Sequence, residues 1–207
     1  MAWRDQYTNY GSYESEVARG KIAGARPFYS FGEIDTSGAV TDHMVWPMAG
    51  TPALTVPTGI QMNISSTSVN DASAGTGIRT VKIHYLDTLL NEQTEVVTMN
   101  GTTAVNTVAT DIRFVNSMHI MSGGTSKDAD GVISLKNSSI TYSQILVGKR
   151  RCSSSVRRVP RGKRLMITSL YGASSSGTAA ASAIVRLVTT GVNGDDFTSD
   201  SITFPHA

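Results

Sequence analysis

Histidine and cysteine are the side chains in this sequence most able to bind a metal or act as a nucleophile, and there are few of them. The four histidines are His43, His84, His119 and His206, and Cys152 is the single cysteine. Their spacings match no zinc motif, and there is no second thiol for a disulfide. His84 and His119 fall in predicted strands and can meet across a sheet, most simply as a surface or partly buried pair. The sequence therefore predicts no metal and no cofactor.

Two sets of acidic residues also fall short of a catalytic or metal site. Asp42 and His43 are adjacent, so in a strand their side chains point to opposite sides and cannot form a triad. Asp128 and Asp130 in the loop "SKDADG" match the start of a calcium loop, but the later ligands and the closing Glu are lacking. We therefore predict no catalytic residues and a protein that is not an enzyme.

The charge of the chain is distributed unevenly. All sixteen acidic residues lie before residue 131 or after residue 193, and ten Lys and Arg residues lie between those points. Eight of the ten fall in residues 149–164, "KRRCSSSVRRVPRGKR", which we call the basic segment. The rest of the chain carries 10 bases against 16 acids. A segment with charges of one sign indicates a surface that meets an anionic partner.

Adjacent arginines restrict where the basic segment can lie. In a strand each adjacent pair would place charge on both faces, so the segment is predicted at an edge, in a loop or at an interface. A carboxylate-rich protein surface is the predicted partner, with a solvated face or nucleic acid as alternatives. The segment lacks the interleaved aromatics that stack on single-stranded nucleic acid. The arginines predicted to face the partner are Arg150, Arg151, Arg157, Arg158, Arg161 and Arg164.

The N-terminal residues 1–25 are predicted to form an extended or helical arm. Half of the fourteen aromatic residues lie in the first 31 positions. Their three- and four-residue spacing predicts an amphipathic helix over the first twenty residues, ending at Gly20. Tyr and Trp are favoured interface anchors, so the arm is expected to dock on another subunit or to fold back on its own core. The predicted anchors are Trp3, Tyr7, Tyr10 and Tyr13.

A run of alternating residues predicts that the remainder, residues 26–207, is antiparallel β structure. Val81, Ile83 and Tyr85 alternate with polar residues, as in a strand that is buried on one face. The dipeptide Asn100-Gly101 favours a tight turn. A three-stranded meander is predicted from residues 79–86, 94–99 and 102–109.

The whole chain has the composition of a protein with many short strands. Ser and Thr together number 49, and Gly adds 19. The predicted fold is an antiparallel β-sandwich, jelly-roll-like, of about eleven or twelve strands. Strands beyond the meander are predicted at residues 27–33, 40–48, 60–66, 112–121, 132–135, 140–147, 165–170, 183–189 and 201–204.

Neither a membrane nor an oxidising compartment is expected. No stretch reaches the ~18 apolar residues of a membrane span. The first residues, "MAWRDQYTNYGSYESE", carry acids and no apolar core of a signal peptide. With one cysteine, no internal disulfide can form, which favours synthesis in a reducing compartment.

Three runs of the sequence share motifs with one known class of protein: "SSTSVNDASAGTGIRTVKIHYLDTLLNEQTEVVTMNGTTAV", "IRFVNSMHI" and "VPRGKRLMITSL". Together they resemble the β-rich virion structural proteins of tailed bacteriophages. The shared elements are an "ND-A-AGTG-RTV" opening, an "LD…E-TE-VT-NGTTAV" hairpin and a "VPAGK"-like turn. The turn reads "VPRGK" here, with Arg161 where Ala is usual. The resemblance extends from residue 63 to about residue 186.

The resemblance implies a non-enzymatic virion structural protein, in the first place a capsid decoration or cement subunit. The implied partners are capsid, portal, neck or tail proteins, met as a symmetric homo-oligomer in a virion assembled in the host cytoplasm. A neck, collar or tail component is one alternative. A carbohydrate- or receptor-binding module is another, and it would need an exposed aromatic platform. The candidates for such a platform are Tyr85, Phe114, Tyr142 and Tyr171, most of which alternate inward.

Overall fold

A computed structural model of the chain describes residues 12–28, 30, 32, 58–152, 154–165 and 167, together with four short strands between residues 183 and 204. The chain divides into two compact units, Met1–Leu165 and Met166–Ala207. The first unit contains the part of the structure that is described in detail. The predicted boundaries of the arm at residues 1–25 and of the β domain at residues 26–207 stay predictions.

The described part of the first unit contains two antiparallel sheets. One sheet has the strand order β4-β1-β6-β7 and the other has the order β3-β2-β5. The predicted all-β antiparallel sandwich is confirmed. The elements are α1 (Tyr13–Ala18), β1 (Asn63–Ser66), β2 (Ile78–Leu86), β3 (Glu92–Thr98), β4 (Val105–Asn106), β5 (Phe114–Gly123), β6 (Ile133–Asn137) and β7 (Ile140–Ile145).

Side chains from both sheets form a single buried cluster. Ile64 and Leu135 come from the four-stranded sheet, and Val81, Ile83 and Met118 come from the three-stranded sheet; all five are fully buried. Burying one such side chain contributes roughly 1.5–3 kcal/mol. The alternation predicted for β2 is therefore confirmed, since its apolar residues enter the core and its polar residues point outward.

The predicted meander is correct for two strands and wrong for the third. Strands β2 and β3 form an antiparallel hairpin, with Ile83 opposite Glu95. The third run forms only the two residues of β4, which pair with Asn63 and Ile64 of β1 in the other sheet. The free side of β2 is occupied by β5 instead. The chain therefore crosses from one sheet to the other after β3.

Side-chain hydrogen bonds explain this crossing. The hydroxyl of Thr107 accepts from the backbone N–H of Met62 at 3.1 Å, and the backbone N–H of Thr107 donates to the Met62 carbonyl at 2.8 Å. The carboxylate of Glu95 accepts from the backbone N–H groups of Val108 at 2.6 Å and Ala109 at 3.0 Å. Gly101, with φ of +60°, supplies the left-handed turn that precedes the crossing. These contacts join positions far apart in sequence, so strand periodicity could not predict them.

A buried carboxylate holds the loop before β2 in place. Asp71 is fully buried, and its Oδ1 accepts from the backbone N–H groups of Ile78 at 2.7 Å and Asp130 at 3.2 Å. Its Oδ2 accepts from the hydroxyl of Ser66 at 2.6 Å and from the backbone N–H of Gly131 at 2.9 Å. One side chain therefore connects the starts of β2 and β6 with the end of β1.

The short helix α1 has defined ends. Ser12 caps its start, so a continuous helix over the first twenty residues is wrong. The predicted end is confirmed, because Gly20 has φ of +72° and donates its N–H to the carbonyl of Val17, while Lys21 donates to that of Glu16. Burial alone would raise the pKa of Glu16, but the nearby cations Lys21 and Arg19 outweigh it and lower that pKa.

In the second unit the structure describes four short strands. They are β8 (Ala183–Val185), β9 (Val188–Thr190), β10 (Asp196–Thr198) and β11 (Ile202–Phe204), and they pair antiparallel as β8 with β11 and β9 with β10. The strands predicted at residues 183–189 and 201–204 fall here. The predicted strand 40–48 lies outside the described residues. Of the predicted strands 27–33 and 165–170, the described residues (27, 28, 30 and 32, and 165 and 167) are not in strands.

Candidate interaction surface

The basic segment runs along the open edge of β5. The backbone N–H of Ile120 donates to the carbonyl of Arg150 at 2.9 Å, and that of Cys152 donates to the carbonyl of Met118 at 2.9 Å. The Sγ of Cys152 also accepts from the backbone N–H of Met118 at 3.2 Å. The segment therefore lies at a sheet edge, one of the positions that its adjacent arginines allowed.

Further along, a buried side chain fixes the backbone of the segment. The Nδ2 of Asn116 donates to the carbonyl of Arg158 at 3.0 Å, and its Oδ1 accepts from the Arg158 N–H at 2.9 Å. The Arg161 N–H then donates to the carbonyl of Leu90 at 2.9 Å. Gly162, with φ of +70°, completes the predicted "VPRGK" turn. The backbone of the segment is thus anchored, which fixes the points from which its arginine side chains extend.

The six predicted arginines differ in their surroundings. Arg150 is exposed and pairs with the Asp128 carboxylate at 3.3 Å. Arg151 forms a β-bridge with His119. The remaining four follow along the segment: Arg157 and Arg158 are half-buried, and Arg161 and Arg164 are exposed. The backbone contacts of Arg150, Arg158 and Arg161 therefore place most of the segment beside the three-stranded sheet.

The outer face of the three-stranded sheet carries the two strand histidines. In the register of β2 with β5, Lys82 is opposite His119 and His84 is opposite Ser117. The rings of His84 and His119 stack, with 5.1 Å between centroids and 28° between planes. The prediction that the two histidines meet across the sheet is confirmed.

Burial and neighbouring cations both affect these histidines. Burial lowers the pKa of His84 to about 4, and the charges of His119, Lys82, Arg26 and Arg157 act in the same direction. Burial also lowers the pKa of His119, again with Lys82 acting in the same direction. Both effects disfavour the protonated ring. The outer face is therefore a region of positive potential in which the histidines are neutral near pH 7.

The segment that follows α1 adds to this face. Arg26 pairs with the carboxylate of Glu92 on β3. The guanidinium of Arg157 lies over the ring of Phe28, with 3.8 Å from Cζ to the ring centroid. Burial and the nearby charge of Arg26 lower the pKa of Arg157. Residues 26–28 and the basic segment therefore meet at the same sheet.

Sequence reasoning did not identify Arg26, Phe28 or Lys82 as part of a site. The outward direction of Lys82 was readable from the alternation of β2. The contact of Phe28 with Arg157 joins residues that are 129 positions apart, so no local pattern in the sequence predicts it.

The aromatic arm is only partly described. Trp3, Tyr7 and Tyr10 lie outside the described residues, whereas Tyr13 begins α1 and is 49% exposed. Tyr13 and Phe28 are the exposed aromatic residues within the described part of the chain. Of the four aromatics considered for a glycan platform, Tyr85 is buried, Phe114 and Tyr142 are partly buried, and Tyr171 lies outside.

Within the ranges that the structure describes, no three His, Cys, Asp or Glu residues are grouped so as to hold a metal ion. In the same ranges, none of the helices has the length and apolar character needed to span a membrane. Comparison with protein-family models, with curated proteins and with solved structures found no significant match to the chain.

Proposed function

We propose that this chain is a non-enzymatic structural protein of a tailed-bacteriophage virion, a capsid decoration subunit that binds other virion proteins. The motifs shared with that class, between residue 63 and about residue 186, support the assignment to a virion. The observation that carries the binding mode is the basic segment, anchored along β5 with its arginines displayed beside the sheet.

Physical reasons connect this geometry to assembly. An anchored backbone lowers the entropy lost on binding, because only the arginine side chains then have to be ordered. Arginine also binds carboxylates in a bidentate manner, so an acidic protein surface is a suitable partner. In a symmetric homo-oligomer, several modest contacts of this kind combine into firm attachment through effective concentration.

Charge reversal on the exposed turn tests the proposal. The double variant Arg161→Glu/Arg164→Glu changes two exposed side chains at the end of the basic segment. We expect its copy number in purified particles to fall by about tenfold or more, since each lost charge contact at an interface costs about 1–2 kcal/mol. Quantitative mass spectrometry of the particles measures this.

The matched control is Lys136→Glu, which reverses a charge on β6 in the other sheet and should leave the copy number unchanged. Equal incorporation of the double variant and the unaltered chain would contradict the role of the basic segment. A chain that is not found in particles at all would contradict the virion assignment. Imaging of whole particles then decides between the capsid surface and the alternative position in the neck, collar or tail.

Deletion of residues 1–20 tests the predicted role of the aromatic arm. The strands and the core of the sandwich described above contain none of these residues, so the β fold should remain intact by circular dichroism. We expect incorporation to be lost because the anchors Trp3, Tyr7, Tyr10 and Tyr13 are removed. Decoration at full occupancy by the truncated chain would show that the arm is not a docking element.

A further inference from the structure

Two histidines lie stacked at the centre of the outer face of the β3-β2-β5 sheet. The ring centroids of His84 and His119 are 5.1 Å apart. Two neutral imidazoles can stack at this distance, whereas two imidazolium ions repel each other there unless an anion is close. The stack is therefore sensitive to any negative charge that approaches this face.

Cations from three parts of the chain surround the pair. Lys82 lies on β2 directly opposite His119 in the strand register. Arg26 from the segment after α1 and Arg157 from the basic segment are close enough to act on the charge of His84. Among the described residues, neither Lys82 nor Arg157 has an ion-pair partner. Positive charges so close together are stabilised when a negative partner binds.

A carboxylate of the chain itself already binds one of the cations of this face. Glu92, on the outward side of β3, pairs its carboxylate with Arg26. Its side chain is 20% exposed and lies opposite Leu86 at the end of the β2–β3 pairing, whereas Lys82 nearer the centre has no ion-pair partner among the described residues. Apolar side chains stand beside the cations, since Val96 opposite Lys82 is 51% exposed and Met121 on β5 is 54% exposed. Mixed cationic and apolar character suits a protein segment better than a phosphate backbone.

We propose that this outer face, centred on His84 and His119, binds a carboxylate-rich segment of a neighbouring protein, and that binding brings protons onto the two histidines. The identity of the neighbour as a virion protein rests on the proposed function. The chemical class of the partner rests on the cluster itself.

Proton uptake follows from the groups that face the histidines. In the free chain the cations Lys82, Arg26, Arg151 and Arg157 favour neutral rings, and Glu92 is paired with Arg26. Carboxylates from a partner favour the imidazolium form and raise its pKa. Affinity should therefore increase as the pH falls from about 7 towards 5, until the partner's own carboxylates are protonated near pH 4.3 or so.

The test is a titration of the full chain with a fluorescent Glu-rich peptide, followed by anisotropy at constant ionic strength. We expect the Kd to fall about tenfold or more between about pH 7.5 and about pH 5.5, because net uptake of even half a proton over this range changes the binding constant tenfold. A peptide of the same length with Gln in place of Glu should not bind measurably.

Three variants distinguish binding at the histidine cluster from attraction of the peptide by the overall positive charge of the chain. The double variant His84→Gln/His119→Gln should bind the Glu-rich peptide with a Kd that is the same at both pH values. Lys82→Gln should weaken binding about fivefold at either pH, since one facing charge is lost. The matched control Lys136→Gln removes a charge from β6 in the other sheet and should leave the Kd unchanged.

Each contrary result would overturn the inference. These results are an unaltered chain that does not bind the Glu-rich peptide, a double variant that keeps the full pH dependence, and tighter binding of duplex DNA than of peptide at the same salt concentration. If the double variant does not fold, equal Kd values for Lys82→Gln and Lys136→Gln still contradict it. A chain that is incorporated into particles but does not bind the peptide contradicts this inference alone, whereas a chain missing from particles contradicts the proposed function.

Discussion

Asp71 and the His84–His119 pair lie near opposite ends of β2, and the chain surrounds them in opposite ways. The carboxylate of Asp71 is fully buried and accepts four hydrogen bonds from groups of the same chain. The histidine pair is half-buried and has cations for neighbours. A polar group whose bonds are all supplied internally supports the fold. A cluster of like charges costs stability in the free chain, and for this reason we propose that it binds a partner from outside.

Of the substitutions that test this comparison, removal of the Asp71 carboxylate should lower the free energy of unfolding the most. Asp71→Ala leaves three backbone N–H groups and a serine hydroxyl without an acceptor, each at a cost of about 1–3 kcal/mol. We expect the free energy of unfolding to decrease by about 4 kcal/mol or more, measured by urea denaturation. The control Asp128→Ala removes a side chain that is 47% exposed and should change it by under about 1 kcal/mol. Similar losses of stability for both variants would show that the buried Asp71 carboxylate supports the fold no more than the exposed Asp128 carboxylate does.

The pH dependence of stability tests whether the surroundings of His84 and His119 disfavour their protonated forms. The pKa of His84 is lowered from 6.5 to about 4, so between these values the unfolded chain binds more protons than the folded chain. Stability is therefore greatest above about pH 6.5 and decreases as the pH falls towards 4, by about 2 kcal/mol after allowance for solvent screening.

His84→Gln should reduce this decrease, since one of the two affected rings is removed. Urea denaturation at about pH 7 and about pH 5 measures the difference. A variant with the same slope as the unaltered chain would show that burial and the neighbouring cations do not lower the pKa of His84.

Removal of the Glu95 carboxylate should lower the free energy of unfolding by less than removal of the Asp71 carboxylate. It accepts from the N–H groups of Val108 and Ala109 and so stabilises the path between the two sheets. Glu95→Ala should lower the free energy of unfolding by about 1–2 kcal/mol, because both bonds are charge-assisted but lie in partly exposed backbone. Thermal unfolding measures the change. A loss as large as that of Asp71→Ala would show that Glu95 supports the fold as strongly as the buried Asp71 does.

The smallest change in stability is expected at Glu92. Its partner Arg26 is 66% exposed, so Glu92→Gln should change the free energy of unfolding by under about 1 kcal/mol. The same substitution releases Arg26 and should strengthen binding of the Glu-rich peptide by about two- to fivefold. Unchanged or weaker peptide binding would show that the positive charge of this face does not attract carboxylates.

Local patterns in the sequence predicted the features that depend on near neighbours. The alternation of Val81, Ile83 and Tyr85 predicted which face of β2 is buried, and the structure agrees. Gly20 and Gly101 were predicted at a helix end and a turn, where both have positive φ. Adjacent arginines restricted the basic segment to an edge, a loop or an interface, and it lies at the edge of β5.

By itself, then, the sequence determined the all-β class, the direction of side chains along β2 and the presence of a segment with charges of one sign. These depend on the period of two in a strand and on composition, which are local properties. Only the tertiary structure decided that β4 pairs with β1, that Arg157 lies over Phe28, and that His84 stacks on His119. Such contacts join residues 35 to 129 positions apart, and their partners are selected by the packing of whole sheets rather than by any pattern within one strand.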